Sequence, residues 1–140
     1  MDLGGLTTVD CKSISLMIVD DIPINSKLLA KLLEPAGFRS IVQFNNSRQA
    51  LDSIGTVNPD ILLLDVMMPV VDGFTFLAKV REDRSLDHIK VVMVSAVSEA
   101  EEIQKAISMG ADDYVTKPIQ AKKLYATLTG QIRKIQDPEA

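Results

Sequence analysis

Three aspartates, a serine and a lysine stand where short apolar runs stop. The run at 16–19 (Leu-Met-Ile-Val) ends on Asp20 and Asp21, and the run at 61–64 (Ile-Leu-Leu-Leu) ends on Asp65. The run at 91–94 ends on Ser95, and Asp113-Tyr114-Val115 leads through Thr116 to Lys117. An aspartate can attack phosphorus or ligate a hard cation, and hydroxyl and ammonium groups can donate to a bound anion. If the strand ends converge, two like charges ~5 Å apart repel by about 3 kcal/mol at an effective dielectric of about 20. Lys117 offsets one of the three carboxylates and leaves the cluster near −2 by count. A divalent cation would neutralise the remainder. Carboxylate oxygens suit Mg²⁺, which keeps several waters and bridges to phosphoryl oxygens. Taken singly, each residue has a plainer reading. Asp65 can be a turn or capping residue, and Asp20-Asp21 an acid pair favoured at a helix start. Ser95 can be a turn or cap, and Lys117 a solvated surface lysine.

The elements that must position these groups follow from the apolar pattern. The stretch at 61–64 is aliphatic throughout, as expected of a central parallel strand buried on both faces. Pro69 and Asp72-Gly73 then turn the chain. Residues 16–19 predict the first strand, 40–44 the second, 91–94 the fourth and 113–115 a short last one. Between them lie helical patterns. Pro23 opens the first, with Ile24, Leu28, Leu29, Leu32 and Leu33 as its apolar stripe, and Pro35 and Gly37 stop it. The second spans 47–54 with Ala50, Leu51 and Ile54 inward, and the third spans 74–81 with Leu77 and Val80 inward. Residues 82–90 read as a loop. Ser98 and Glu101 predict a capping box for the fourth helix, with Ile103, Ala106 and Ile107 on one face and Gly110 at its end. Leu124, Leu128, Ile132 and Ile135 mark the fifth. Five β-α pairs in succession make an α/β fold, a doubly wound five-stranded parallel sheet flanked by five helices. All its strands end along one edge, where such sheets hold ligands.

Composition narrows the classes. A chain of 140 residues, 46% hydrophobic and 24% charged, fits one globular domain. Nineteen acids against fifteen bases give −4, which disfavours direct nucleic-acid binding. No apolar run approaches the ~20 residues of a membrane span. A lone cysteine, Cys11, and an N-terminus without a basic start and apolar run point to the cytoplasm. We expect residues 1–13 to be a flexible leader, 14–136 the domain, and 137–140 a tail.

The segments IVDD, LLLDVMMPVVDG, VVMVSA and ADDYVTKP resemble those of the response-regulator receiver domain of two-component signalling, the CheY-like superfamily. The resemblance covers residues 16–135, nearly the whole chain. It implies the flavodoxin-like strand order 2-1-3-4-5 that CheY-like proteins exemplify. It implies that Asp65 accepts a phosphoryl group from a histidine kinase or phosphotransfer protein. Asp20, Asp21, Asp65 and the backbone carbonyl of Met67 would hold Mg²⁺. Lys117 and Ser95 would contact phosphoryl oxygens, Ser95 and Tyr114 would form the switch, and Lys117-Pro118 would be a cis peptide. The face made by the fourth helix, fifth strand and fifth helix would regulate an effector domain or protein, with a phosphorylation-dependent homodimer as a further outcome. The protein would be a phosphoacceptor and not an enzyme. For Tyr114 a half-buried packing role stays open. Apolar Met67 and Val97 would flank the site and influence water access.

Three other readings compete. A phosphatase of the haloacid-dehalogenase class also forms an aspartyl phosphate, but it needs a second Asp two residues on, where this chain has Met67. A flavodoxin-like mononucleotide binder wants a Ser/Thr/Gly-rich loop after the first strand, where this chain has Asp20-Asp21-Ile22-Pro23. A degenerate receiver serving only for binding would not need both Asp65 and Lys117. The output is not encoded in these motifs. A single-domain regulator and a receiver within a longer protein are both compatible with them, and the polar end after Ile135 favours the second.

Overall fold

The computed structural model describes residues 2–139. The apolar runs are strands: β1 (Ser15–Val19), β2 (Ser40–Phe44), β3 (Ile61–Asp65), β4 (Lys90–Ser95) and β5 (Asp113–Thr116). They form one parallel sheet in the order β2-β1-β3-β4-β5. The helices are α1 (Pro23–Leu33), α2 (Ser47–Val57), α3 (Gly73–Glu82), α4 (Ala100–Ser108) and α5 (Ala121–Gln136). The central strands are apolar throughout because both faces are covered and side chains alternate between them. Met17, Val19, Leu62, Leu64, Val91 and Met93 pack on the side of α2, α3 and α4, with Ile54, Phe76 and Leu77. Leu16, Ile18, Ile61, Leu63, Val92 and Val94 pack on the side of α1 and α5, with Leu29, Leu33, Leu124 and Leu128. The Lys117-Pro118 peptide is cis.

Three local expectations change. The α1 face that meets the sheet is Ser26, Leu29, Ala30 and Leu33, an i, i+3, i+4, i+7 set. Ile24 and Leu28 stand 62% and 55% exposed. Small Ser26 and Ala30 let the helix approach closely, and a reading by apolar type alone passes over them.

The Ser98–Glu101 capping box does not form. Helix α4 starts at Ala100 after an N-cap, Glu99, that makes no side-chain cap bond. Of its residues only Ala106 is buried, and Ile107 is exposed.

Of the expected flexible leader (1–13), residues 4–13 are packed, and Met1 lies outside the described residues. Two 3₁₀ turns, Gly4–Thr8 and Cys11–Ser13, bury Leu6 and Cys11 in the cluster that holds α5. Gln136 at the end of α5 bonds both to the Asp10 backbone and to Ser13 Oγ. A 3₁₀ turn at Arg84–Leu86 likewise interrupts the loop after α3 and buries Leu86.

Candidate functional site

The site forms at the carboxyl edge of the sheet, where β1 and β3 lie side by side. Asp65 is the last residue of β3, in register with Val94 of β4. Asp20 follows β1, and its N–H donates to Phe44 O of β2, which carries the sheet one residue past the strand. Asp20 and Asp65 are buried, at 2% and 5% exposure. Oxygens of Asp20, Asp21 and Asp65 come within 4.8 Å of one another.

Lys117 reaches this group from the end of β5, anchored by its N–H donating to Ser95 O at 2.8 Å. Its Nζ donates to Asp20 Oδ2 at 2.9 Å and lies 3.7 Å from Asp65 Oδ2. Asp20 Oδ1 accepts from Ile22 N at 2.9 Å, which turns the chain into α1. Among the described residues, the buried Asp21 Oδ1 has no hydrogen-bond partner. The residues so far named as site acids and base are therefore brought together.

Asp65 stands in a desolvating environment. Burial pushes its carboxyl from 3.8 up to about 6. Lys117 counteracts that rise, the Asp20 charge adds to it, a Met67 backbone N–H bond holds it down, and Asp21 adds a little more. A hard cation fits this donor set. Three carboxylates face one ammonium, and a buried oxygen with no hydrogen-bond partner among the described residues carries free acceptor capacity that oxygen-ligated Mg²⁺ would use. Met67, two residues past Asp65, is 67% exposed.

Ser95 and Tyr114 form a second group. Ser95 is fully buried, and its Oγ accepts from Val97 N at 3.1 Å. Tyr114 is 8% exposed and donates its hydroxyl to Val97 O at 2.7 Å. Burial raises the phenol, which the Ser95 hydroxyl beside it partly offsets. Among the described residues, Ser95 Oγ makes no hydrogen bond to the carboxylates.

Residues that a reading of strand ends overlooked complete the edge. Asn45, directly after β2, donates to Asp20 O at 2.8 Å and to Ser26 Oγ at 2.9 Å. Applying the strand-end rule to the second strand would have found it. Ser47, the first residue of α2, bonds to the loop after β3. Nothing in the sequence pattern singles it out.

Residues 16–129 match the family model of the response regulator receiver domain. Among known relatives, the DNA-binding dual master transcriptional regulator RpaA of Synechocystis is 33% identical over 125 residues, 85% of this chain and 49% of that protein. The polar-differentiation response regulator DivK of Brucella anthropi is 32% identical over 114 residues, 81% of this chain and 92% of that protein. The chain spans about half the length of the first curated relatives it matches, 49% and 53%. A solved two-component response regulator from Clostridium difficile superimposes with a TM-score of 0.81 at 26% identity, covering 89% of this chain and all of that one.

Proposed function

The chain belongs to the response regulator receiver domain family, and from that premise we propose that Asp65 accepts a phosphoryl group. One observation carries the assignment: three aspartate carboxylates gather within 4.8 Å, and the Lys117 ammonium reaches both Asp20 and Asp65. An Asp65 carboxylate oxygen attacks the phosphorus of a phosphohistidine on a histidine kinase or phosphotransfer protein. The new O–P bond forms as the N–P bond breaks, and its electron pair returns to the imidazole. Positioning and charge neutralisation are most of what such a transfer needs. Lys117 holds Asp20 in place and offsets developing phosphoryl charge. Asp20, Asp21, Asp65 and the Met67 carbonyl would hold Mg²⁺, which when bound supplies charge neutralisation and a coordination point for a phosphoryl oxygen.

Phosphorylation adds about −1.5 to −2 charge and three acceptor oxygens. Ser95 exchanges its bond with Val97 for one with a phosphoryl oxygen. Tyr114, bonded to the same loop, carries the change to the face of α4, β5 and α5. That face then engages an effector domain or protein, or a second copy of the chain, in the cytoplasm. No helix among the described residues is long and apolar enough to cross a membrane. The domain takes part in its own phosphotransfer and acts on no other substrate. The dehalogenase reading lacks its acid-base residue, since Met67 occupies that position.

The metal requirement tests this reading. Incubation with acetyl phosphate and Mg²⁺ is expected to add one phosphoryl mass to the intact protein, and EDTA to prevent it. An adduct formed equally fast in EDTA would overturn the metal-assisted site.

A further inference from the structure

We infer that Ser47 is a positioning residue for the phosphoacceptor loop: its buried hydroxyl pins residues 69–71 and so fixes the Met67 backbone beside Asp65. The inference rests on the assignment of Asp65 and of the Met67 carbonyl given above. Ser47 belongs to α2, more than twenty residues before the loop it touches, and is only 3% exposed. Its Oγ donates to Pro69 O at 2.9 Å and accepts from Val71 N at 3.1 Å. The hydroxyl therefore uses its donor and an acceptor lone pair on two backbone groups of one turn.

That turn does not rest in its easiest shape. Val71 N also donates to Pro69 O at 2.8 Å, closing a γ-turn centred on Val70 at φ 70°. The left-handed γ-turn is rare and strained, and a β-branched residue at positive φ is an outlier in its own right. Such a conformation persists only where surrounding contacts over-determine it. Val70 is 85% exposed, so its own side chain contributes little packing to hold the turn. The other end of the loop is closed by Gly73, whose N–H donates to Val66 O at 2.8 Å. A Cβ on Gly73 would lie 2.6 Å from Val66 Cα and run into the Asp65 carbonyl. Between these fixed points lies Met67, two residues past Asp65. Ser47 opposes relaxation of Val70 through its two hydrogen bonds, alongside the buried Met68 and Val71 side chains, and a shift of the loop would carry to Met67.

Ser47→Ala removes the clamp. Two readings are taken on the folded protein: Mg²⁺ affinity by fluorescence or calorimetric titration without phosphodonor, and phosphorylation rate with acetyl phosphate at saturating Mg²⁺. Both are expected to fall about tenfold, inside the roughly hundredfold that a misplacement of about 1 Å can cost. Val71 amide hydrogen exchange should quicken at the same time. Asparagine tolerates positive φ, so in a Val70→Asn background the Ser47→Ala loss should shrink to about twofold. Should alanine destabilise the fold, Ser47→Cys fills the site with a slightly larger side chain of the same branching while exchanging the hydroxyl for a weak donor, and gives the same reading. If the wild type takes up the phosphoryl group and Ser47→Ala matches it in affinity and rate, the inference is wrong and the Asp65 assignment stands. A purely structural Ser47 would lower the unfolding midpoint while leaving both readings unchanged. If the wild type takes up no phosphoryl group at all, the Asp65 assignment fails first and this inference with it.

Discussion

The two ends of the sheet both carry aspartates, and they treat them in opposite ways. At the amino end, Asp60 Oδ2 accepts from Ser15 N and Ser15 Oγ. Asp112 Oδ2 accepts from Val91 N at 2.8 Å and from Arg81 Nη2 at 3.1 Å. Arg81 in turn donates to Gly110 O and Ile89 O, so its guanidinium is used by several elements at once. At the carboxyl end, three carboxylates gather beside one ammonium that reaches only Asp20 and Asp65; among the described residues Asp21 Oδ1 has no hydrogen-bond partner, and burial pushes Asp65 up to about 6. A buried polar group left unmatched costs stability. The amino end spends its aspartates on holding strands, and the carboxyl end keeps acceptor capacity free for a cation and an anion from outside.

Isosteric amides make the contrast measurable. Folding raises the Asp65 carboxyl from 3.8 to about 6, so the folded state binds its proton more tightly than the unfolded chain does. The Asp65 proton's contribution to stability falls as pH rises from about 4 through 6 and is gone above. Without metal at about pH 7.5, Asp65→Asn should therefore raise stability by up to about 3 kcal/mol in urea unfolding, with the gain vanishing near pH 4. Destabilisation by this change at neutral pH would erase the distinction between the two ends. Asp112→Asn should do the opposite. Losing its charge leaves a part-buried Arg81 without its partner, at about 1 to 2 kcal/mol of stability. Arg48→Ala serves as a control outside both ends. Arg48 and Asp52 are 65% and 63% exposed, and their pair should be worth no more than about 0.5 kcal/mol. A loss larger than that for Asp112→Asn would mean that surface charge, and not the ends of the sheet, governs stability here.

Much of this was legible in the chain. Strand ends at Asp20, Asp65, Ser95 and Lys117 could be read because a buried parallel strand is an uninterrupted apolar run, and its stop is abrupt. The strand order follows from the receiver resemblance and matches the sheet. Three-dimensional partners were harder. Ser26 and Ala30 face the sheet because they are small, a property that hydrophobic type does not encode. The box at Ser98 and Glu101 has the right spacing, yet α4 begins at Ala100, since a local motif competes with how the loop after β4 is tied to Tyr114. Residues 4–13 look polar and Gly-containing, but Leu6 and Cys11 find a buried place against α5, a contact between distant parts of the chain. Asn45 and Ser47 each act through two hydrogen bonds to groups far away in sequence, and those leave no periodic trace.

The location of the phosphoryl group tests the central claim most directly. After incubation with acetyl phosphate and Mg²⁺, peptide mass mapping should find one phosphoryl group, on the peptide containing Asp65, and none in Asp65→Asn or in EDTA. A phosphoryl group carried by Asp65→Asn at the wild-type rate, or mapped to a peptide without Asp65, would contradict the account.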